Sequence, residues 1–361
     1  MTESTPSLHR TCIIMLAGCA AALLAACSEE VEQVEPITVV GSSTVYPFAQ
    51  KVAEDFVAAN EGMVAPSIES TGSTDGITAF CAGEGSDTPD IVNASRRMLP
   101  DEFAACVSNG VSEIIEIKVG RDGIAFVSST DDGLDLALTP GIIYRAIAAA
   151  PFGGEQTAEN WSDVDGSLPD TPIIVYGPPQ TSGTRDAMVE LVLEAACKTN
   201  GSMAALESED AAAYEANCQS IREDSAYLDQ GERDEVIVRK VANNDRAIGV
   251  FGYSYLEENS DTIKGLSING IAPTAETIAS GEYPASRPLY IYVKKAHIGV
   301  TPGVQEYLNQ WSQSWGAEGP LAEIGLVASP AEEMASNEEK VNSLIPLTLE
   351  ELQGGTADSE S

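Results

Sequence analysis

Apolar and polar positions alternate along the chain in blocks that predict a strand, a short polar loop and a helix. The first block has an apolar run at 37–40, then Gly-Ser-Ser-Thr, then apolar residues at helical spacing as far as Asn60. The same order recurs after the strand-like segments "APSIES", "DIVNASRRML" and "TPIIVYG". Because strands alternate with helices, we expect an α/β protein with mainly parallel sheets.

Later segments extend this pattern. "VSEIIEIKVGRDGIAFVSS" predicts paired strands with a glycine in each connection, and "TPGIIYRAIAA" predicts a helix capped by Thr139 with Pro140 at its first position. "AIGVFGY" and "SRPLYIYVKK" predict two more strands, and "TPGVQEYLNQWSQSWG" predicts a helix. A polar stretch that contains cysteine separates these blocks at 198–235.

Four loops in these blocks are rich in hydrogen-bond donors. They are "GSST" at 41–44, "STGSTDG" at 70–76, "NASRR" at 93–97 and "TSGTRD" at 181–186. Loops at the carboxyl ends of parallel strands meet at one edge of a sheet, where ligands bind. Together these loops offer backbone amides, hydroxyls and the guanidinium groups of Arg96 and Arg185, which predicts an anion site. Ordinary helix capping and surface ion pairs are the alternatives for each loop taken alone.

Charge limits the range of partners. The 361 residues include 19 Lys and Arg against 56 Asp and Glu, a formal net charge of −37, while 43% of residues are hydrophobic. We therefore expect a soluble globular chain with a large core and no nucleic-acid partner. A small anion remains compatible with this charge, because buried local dipoles outweigh a distant and screened field.

The N-terminus has the layout of an export signal. An apolar stretch, "TCIIMLAGCAAALLAA", runs over 11–26 and is too short to span a membrane comfortably. It ends in "LAAC", which resembles the lipobox of bacterial lipoproteins. We expect a signal peptide at 1–26, a lipid on Cys27, an acidic tether at 27–36 and a periplasmic protein anchored only through this lipid. A plain signal peptide followed by a chance cysteine is the alternative.

Four cysteines remain after the signal and the anchor. An even number in an exported chain predicts two disulfides, and three pairings are open. We favour Cys81 with Cys106 and Cys197 with Cys218, each local to one part of the chain; free buried thiols are the alternative. No two of these cysteines have C-x-x-C spacing, so we expect no metal, and the sequence indicates no cofactor.

Six segments together resemble a known family. They are "ITVVGSSTVYPFAQ", "DIVNASRRM", "VGRDGIAFV", "TSGTRDAM", "AIGVFGYSYL" and "NGIAPTAETIASGEYPASRPLYIYV". They look like the periplasmic phosphate-binding proteins of phosphate ABC transporters, and the resemblance covers about 36–315. It implies a two-lobed type II periplasmic-binding-protein fold with two hinge crossings, each lobe a mixed, mainly parallel sheet flanked by helices. The implied lobes are 37–123 with 291–349, and 124–290, followed by a disordered acidic tail at 350–361.

The resemblance also implies a set of phosphate-binding residues. In the first lobe they are Ser43, Thr44, the amide of Val45, Ser73, Thr74, Ser95 and Arg96; in the second they are Ser182, Gly183, Thr184 and Arg185. This chain departs from the best-studied branch, which has an aspartate at the position of Arg96 and an arginine at that of Pro178. That aspartate accepts the ligand's proton, so the discrimination of phosphate from sulfate is open here. Asp75, Asp122 and Asp186 are the alternatives for the acceptor.

The function implied is that of a monomeric extracytoplasmic receptor that delivers inorganic phosphate to an ABC permease, in transport, in sensing or in both. A receptor for sulfate, molybdate or tungstate is the first alternative, and a surface-attached adhesive protein is another. A phosphate-ester hydrolase is a more distant one, because the chain has two histidines, His9 and His297, and no G-x-S-x-G, H-E-x-x-H or Walker A pattern. We expect Arg185→Ala to weaken binding steeply and Arg287→Ala, outside the four loops, to change it little.

Overall fold

The structure is a computed structural model that describes residues 35–231 and 233–354. The expected signal peptide, Cys27 and most of the tether lie outside the described residues, as do the last residues of the expected tail, 355–361. All elements below belong to the unit Pro36–Ser361. Within the described residues no helix is both long enough and apolar enough to cross a bilayer.

Nine strands of the described residues form one mixed sheet. Their order across the sheet is β2-β1-β3-β9-β4-β7-β5-β6, and β8 pairs with the end of β4 on the edge opposite β7. The strands are β1 Thr38–Gly41, β2 Ser67–Ser70, β3 Ile91–Ala94, β4 Ile114–Ser129, β5 Val175–Gly177, β6 Tyr227–Asp229, β7 Ile248–Gly252, β8 Ile263–Gly265 and β9 Ser286–Lys294.

Helices cover the sheet. The α-helices are α1 Tyr46–Ala59, α2 Ser73–Phe80, α3 Pro100–Ser108, α4 Pro140–Ile147, α5 Trp161–Val164, α6 Gly183–Met188, α7 Ala195–Cys197, α8 Gly201–Glu209, α9 Ala211–Tyr214, α10 Asp234–Ala242, α11 Tyr253–Glu258, α12 Ala275–Ser280, α13 Val304–Ser314, α14 Ala331–Ser343 and α15 Leu349–Gly354. Two segments wind as π-helices, Val189–Glu194 and Glu215–Gln219, and three short 3₁₀ turns lie at Pro151–Gly153, Lys295–His297 and Ala322–Ile324. The predicted α/β fold class is confirmed.

Two long strands cross between the two groups of parallel strands. β1 pairs in parallel with β2 and β3, and β5 pairs in parallel with β6 and β7. Between these groups β4 runs antiparallel to β9 over 114–123 and then antiparallel to β7 over 124–127. This arrangement matches the two hinge crossings that the sequence resemblance implies.

The prediction of two paired strands at 111–129 is wrong, because Ile114–Ser129 is one continuous strand of 16 residues. Its glycines allow side chains of other segments to pack closely against the strand, and they do not reverse the chain. A side chain at Gly120, where the strand has a bulge and φ is 155°, would lie 2.8 Å from Leu326. A side chain at Gly123 would lie 2.6 Å from Ile278.

The buried apolar side chains form three clusters that follow the crossing. The largest takes its members from 124–285, with Val327 added. The other two, on the opposite side of the crossing, take theirs from 37–119 and 289–352. No cluster draws on 120–123 or 286–288, so these segments carry the polar groups that lie between the clusters.

Both favoured disulfides are confirmed, Cys81–Cys106 and Cys197–Cys218. The second joins α7 to the π-helix at Glu215–Gln219, which lies inside the polar, cysteine-containing stretch at 198–235. Glu194 strengthens the same junction, since its carboxylate accepts hydrogen bonds from Tyr214 and Gln219 at 2.6 and 2.8 Å.

The C-terminal segment differs from the disordered tail expected at 350–361. Leu349–Gly354 form α15, and Leu352 is 1% exposed within the cluster that covers α3. The backbone carbonyl of Glu351 accepts a hydrogen bond from Arg97 at 2.9 Å. Burial of the Leu352 side chain thus holds α15 against the core, although the acidic composition of this segment favours disorder.

Candidate functional site

A polar cleft of about 970 Å³ lies between the two strand groups. It receives loops from both sides of the crossing, and four cationic side chains and six carboxylates line it. The lining residues are Ser42, Ser43, Thr44, Gly72, Ser73, Thr74, Ser95, Arg96, Leu99, Gln180, Arg185, Asp186, Val189, Glu190, Glu194, Ala195, Lys198, Glu207, Glu215, Gln219, Ser220, Ile221, Glu223 and Arg287. Seven of the eleven predicted site residues therefore meet at one cleft.

The first loop leaves β1 through a glycine that no other residue can replace without strain. Gly41 has φ of 124°, and a side chain there would lie 2.1 Å from the carbonyl oxygen of Asn93. The amide of Ser42 donates to that same carbonyl at 2.9 Å. The loop is thereby held against the end of β3, which brings Ser43 and Thr44 beside the residues that follow β3.

The helix α2 approaches this loop equally closely. A side chain at Gly76 would lie 2.5 Å from the Cα of Gly41, so the start of α2 packs directly on the β1 backbone. Ser73 then lies next to Ser95, whose amide donates to the Ser73 hydroxyl at 3.1 Å; the two hydroxyl oxygens are 3.2 Å apart. Three predicted hydroxyl-bearing loops thus meet through close backbone packing and the contacts between Ser73 and Ser95.

Arg96 faces the cleft with its charge already paired. Its guanidinium donates to both carboxylate oxygens of Glu102, at 2.6 and 2.9 Å, and to the Thr74 hydroxyl at 3.1 Å. The hydrogen bond to Glu102 raises the pKa of Arg96. Two N–H groups of Arg96 already donate to Glu102. Arg96 therefore has fewer hydrogen bonds to offer an anion than an unpaired arginine would.

Arg185 comes from the second side of the crossing and is held by an aromatic ring. Its guanidinium carbon lies 4.7 Å from the centre of the Tyr227 ring, and it donates to the carbonyl of Pro178 at 3.3 Å. Burial raises the pKa of Tyr227 to about 12, so this ring stays neutral. A side chain at Gly177 would lie 2.1 Å from the Tyr227 hydroxyl, so this glycine makes room for the ring. No carboxylate forms an ion pair with Arg185 among the described residues.

Four predicted site residues lie outside the cleft lining. The amide of Val45 donates to the Ser42 hydroxyl at 3.4 Å, and the Val45 side chain is fully buried in the core. The Ser182 hydroxyl caps α6 by accepting from the amide of Thr184 at 3.3 Å. Gly183 lies against the first loop, since a side chain there would be 3.7 Å from the carbonyl oxygen of Ser43.

Arg287 lies in the cleft, so the expectation that it is remote from the site is wrong. It is 3% exposed, donates to the Thr44 hydroxyl at 2.5 Å and forms an ion pair with Glu190. Its Nε lies 3.5 Å from Asp122, the residue opposite it in the β4–β9 register. The arginine lies outside all four loops, so only the pairing of the crossing strands brings it to the site.

Comparisons with known proteins agree with this arrangement. A family model described as the PBP superfamily domain matches residues 27–312. SphX of Synechococcus elongatus is 31% identical over 92% of this chain and 88% of its own length. The chain belongs to the PBP superfamily. The phosphate-binding protein PstS of Staphylococcus saprophyticus is 27% identical over 84% of both chains. These relatives confirm the resemblance found in the sequence.

Two solved structures have a similar fold. A protein described as a possible phosphate binding protein from Planctomyces limnophilus covers 86% of this chain and 98% of its own, at 27% identity and a TM-score of 0.69. An ABC-type phosphate transport receptor from Vibrio cholerae covers 81% of this chain and 100% of its own, at 20% identity and a TM-score of 0.56. The names of these relatives describe binding proteins and not enzymes.

The carboxylates of this PBP-superfamily chain differ in their access to the cleft. Asp75 is exposed and lies outside the lining. Asp122 lies behind Arg287, and burial raises the pKa of its carboxyl group. Asp186 lines the cleft and accepts a hydrogen bond from the Ser43 hydroxyl at 3.3 Å. Glu190, which lies outside the four predicted loops, also lines it.

Glu190 points into the cleft from the π-helix at Val189–Glu194, which continues α6. A π-helical turn changes the direction of the side chains that follow it, and such turns are frequent at functional sites. The sequence has no signal for this turn, because its apolar residues fit an ordinary helix equally well. Among the described residues, no three metal-ligating side chains come together.

Proposed function

We propose that this protein is an extracytoplasmic receptor that binds inorganic phosphate in the cleft and delivers it to the permease of an ABC transporter. One observation carries the proposal: hydroxyls from the ends of β1 and β3 and from the start of α2 face the same cleft as Arg185 and Arg287. Such a set of neutral and cationic donors suits a tetrahedral oxyanion, which has acceptors on every side. The names of the relatives support phosphate as that ion.

The number of donors is sufficient for tight binding. A hydrogen bond to a charged group contributes about 1.5–3 kcal/mol. A micromolar Kd needs about 8 kcal/mol, so six such bonds leave a margin for removing water from the ion. Ser43, Thr44, Ser73, Arg185 and Arg287 supply the directions, and backbone amides add to them.

We further propose that the lobes are 37–123 with 291–349, and 124–290. The division of the buried clusters at 120–123 supports the first boundary, whereas Leu289 and Tyr290 pack in the clusters of the first lobe, so the clusters place the second boundary nearer 286–288. The crossing strands β4 and β9 then act as the hinge, and closure brings Arg185 towards the first-lobe hydroxyls. Under this proposal the mature protein is a monomer held at the membrane by a lipid on Cys27. A Cys27→Ser variant would then appear in the periplasmic fraction and not with membranes.

Isothermal titration of delipidated, ligand-stripped protein tests the function. We expect one phosphate per chain, similar binding of arsenate, and much weaker binding of sulfate. Tight binding of sulfate, molybdate or tungstate without a response to phosphate would instead support a receptor for another oxyanion. A chromogenic phosphate ester added to the same protein distinguishes a receptor from a hydrolase, since a receptor does not turn it over.

A further inference from the structure

Arg97 follows two residues that line the cleft, Ser95 and Arg96, but does not line it itself. Its guanidinium donates to both carboxylate oxygens of Glu116, at 2.8 and 2.9 Å, and to the backbone carbonyl of Glu351 at 2.9 Å. Neither partner belongs to the cleft lining. The loop at 93–97 therefore carries two arginines with different surroundings, one in the cleft and one attached to the strands and helix that support it.

Glu116 connects this loop to both crossing strands. It lies on β4, is 4% exposed and is opposite Tyr292 of β9 in the strand register. The Tyr292 hydroxyl donates to Glu116 at 3.1 Å and accepts from the amide of Met98 at 2.7 Å. Burial raises the pKa of Tyr292 well above its ordinary value, so the hydroxyl keeps the proton that it donates. The side chain of Arg97 and the backbone of Met98 are thus held by one buried pair of residues.

The two residues in the cleft depend on the same stretch of backbone. The guanidinium of Arg96 donates to the carbonyl of Arg97 at 3.2 Å, and the amide of Ser95 donates to the Ser73 hydroxyl at 3.1 Å. A shift of the Arg97 backbone would therefore move one of the hydrogen-bond acceptors that orient Arg96, and it would move Ser95 through the chain. Binding groups whose supporting residues are fixed in this way lose less freedom when a ligand binds.

The C-terminal helix α15 provides the third attachment of Arg97. Glu351 lies in the last turns of this short helix, where backbone carbonyls lack intrahelical partners and favour a cation. Leu352 holds the helix in the buried cluster that also contains Met98 and Tyr292. The end of the chain is thereby joined to the backbone that carries Ser95.

We propose that Arg97 is a positioning residue, which fixes residues 95–98 against Glu116 and α15 and so presents Ser95 and Arg96 to the anion in an ordered arrangement. This inference rests on the proposed function and adds to it residues that do not touch the ligand. The alternative role for Arg97 is that of a counter-ion, which only stabilises the buried carboxylate of Glu116. The two roles differ in their effect on the ligand affinity of the folded protein.

Arg97→Met removes the guanidinium and keeps an unbranched side chain. Isothermal titration well below the unfolding midpoint should show a phosphate Kd at least about tenfold above that of wild type, because residues 95–98 must then be ordered by the ligand. Val111→Ala is the control, since Val111 is fully buried in the same cluster and makes no side-chain hydrogen bond; it should lower stability and keep the Kd. A folded Arg97→Met protein with the wild-type Kd would overturn the inference, whereas absence of phosphate binding by the wild-type protein would refute the proposed function.

Arg97→Lys separates the two roles and also serves if the methionine variant does not fold. Lysine keeps a cation beside Glu116, but its ammonium group cannot reproduce the paired contacts with Glu116 and the contact with the Glu351 carbonyl. We expect the Kd to rise severalfold. A wild-type Kd in this variant would show that Arg97 is only a counter-ion.

A double-mutant cycle tests whether Arg97 acts through the two cleft residues. In a Ser95→Ala/Arg96→Ala background, Arg97→Met should raise the phosphate Kd by less than about twofold, because the groups that it positions are already gone. The same factor in this background as in the wild-type chain would show that Arg97 affects binding by another route, and it would overturn the proposal.

Discussion

The effect of Arg287→Ala is the point at which the structure and the sequence lead to the most different predictions. The arginine is 3% exposed, and its guanidinium touches one residue from each side of the cleft, Thr44 and Glu190. Asp122 lies 3.5 Å away and loses its nearest cation in the variant. The change should therefore weaken both ligand binding and folding, by amounts that can be measured separately.

For binding, we expect Arg287 to supply two charge-assisted hydrogen bonds to the ligand. At about 1.5–3 kcal/mol each, their loss amounts to at least about 3 kcal/mol. The Kd for phosphate should then rise by at least about 100-fold. Arg287→Lys should recover only part of this loss, because an ammonium cannot reach Thr44 and the ligand with the fixed geometry of a guanidinium.

For folding, removal of one partner from a buried ion pair costs about 3–5 kcal/mol. The loss here should be smaller, about 2–3 kcal/mol, because the Glu190 side chain is 44% exposed and is solvated once its partner is gone. Urea unfolding without ligand measures this loss, and isothermal titration well below the unfolding midpoint measures the Kd of the folded variant.

Arg222→Ala is the matched control. Arg222 is 8% exposed, pairs with Asp224 and donates to the carbonyls of Ala146 and Ala158, and it is not among the residues that line the cleft. It should lose stability to a similar extent and keep the wild-type Kd. Folded Arg287→Ala with a Kd within about threefold of wild type would refute the assignment of Arg287 to the site.

Three further predictions concern the cleft and one buried lysine. Arg185→Ala should raise the phosphate Kd steeply, whereas Tyr227→Leu, which removes only the stacked ring, should raise it less; both are measured by titration. Gly41→Ala should prevent folding, as seen by circular dichroism, because its side chain would lie 2.1 Å from the carbonyl of Asn93. Burial lowers the pKa of Lys294 to about 8, below the ordinary value of about 10.4, so the unfolded chain binds the extra proton between these values. Stability relative to Lys294→Met should thus rise as the pH increases through this window in urea unfolding, and a constant difference would contradict the shift.

The loops of the first half could be predicted because their signals are local. A strand, a glycine and a run of hydroxyl residues specify a turn into a helix whatever lies elsewhere in the chain. Ser43, Thr44, Ser73 and Ser95 meet in the cleft because parallel strands β1 and β3 end at the same edge. The two disulfides could also be predicted from the sequence, since each joins cysteines fewer than 30 residues apart.

The glycines at 120 and 123 misled the sequence argument for a physical reason. A glycine in an apolar run is compatible with a turn and also with close approach of a neighbour, and the two differ only in what lies opposite. Here Leu326 and Ile278 occupy the space above the two glycines, and the chain continues straight for 16 residues. Those partners lie more than 150 residues away in the sequence, so no local pattern could reveal them.

Arg287 and Glu190 could not be predicted as site residues for a related reason. Arg287 reaches the site through the register of β9 on β4, and Glu190 reaches it through a π-helical turn that its sequence does not signal. Under the proposed lobe division, Arg287 on the crossing strand β9 joins Thr44 of the first lobe to Glu190 of the second. A ligand held by Arg287 together with the first-lobe hydroxyls would therefore be bound most tightly in the closed form, which would couple recognition of the ion to the conformation offered to a permease.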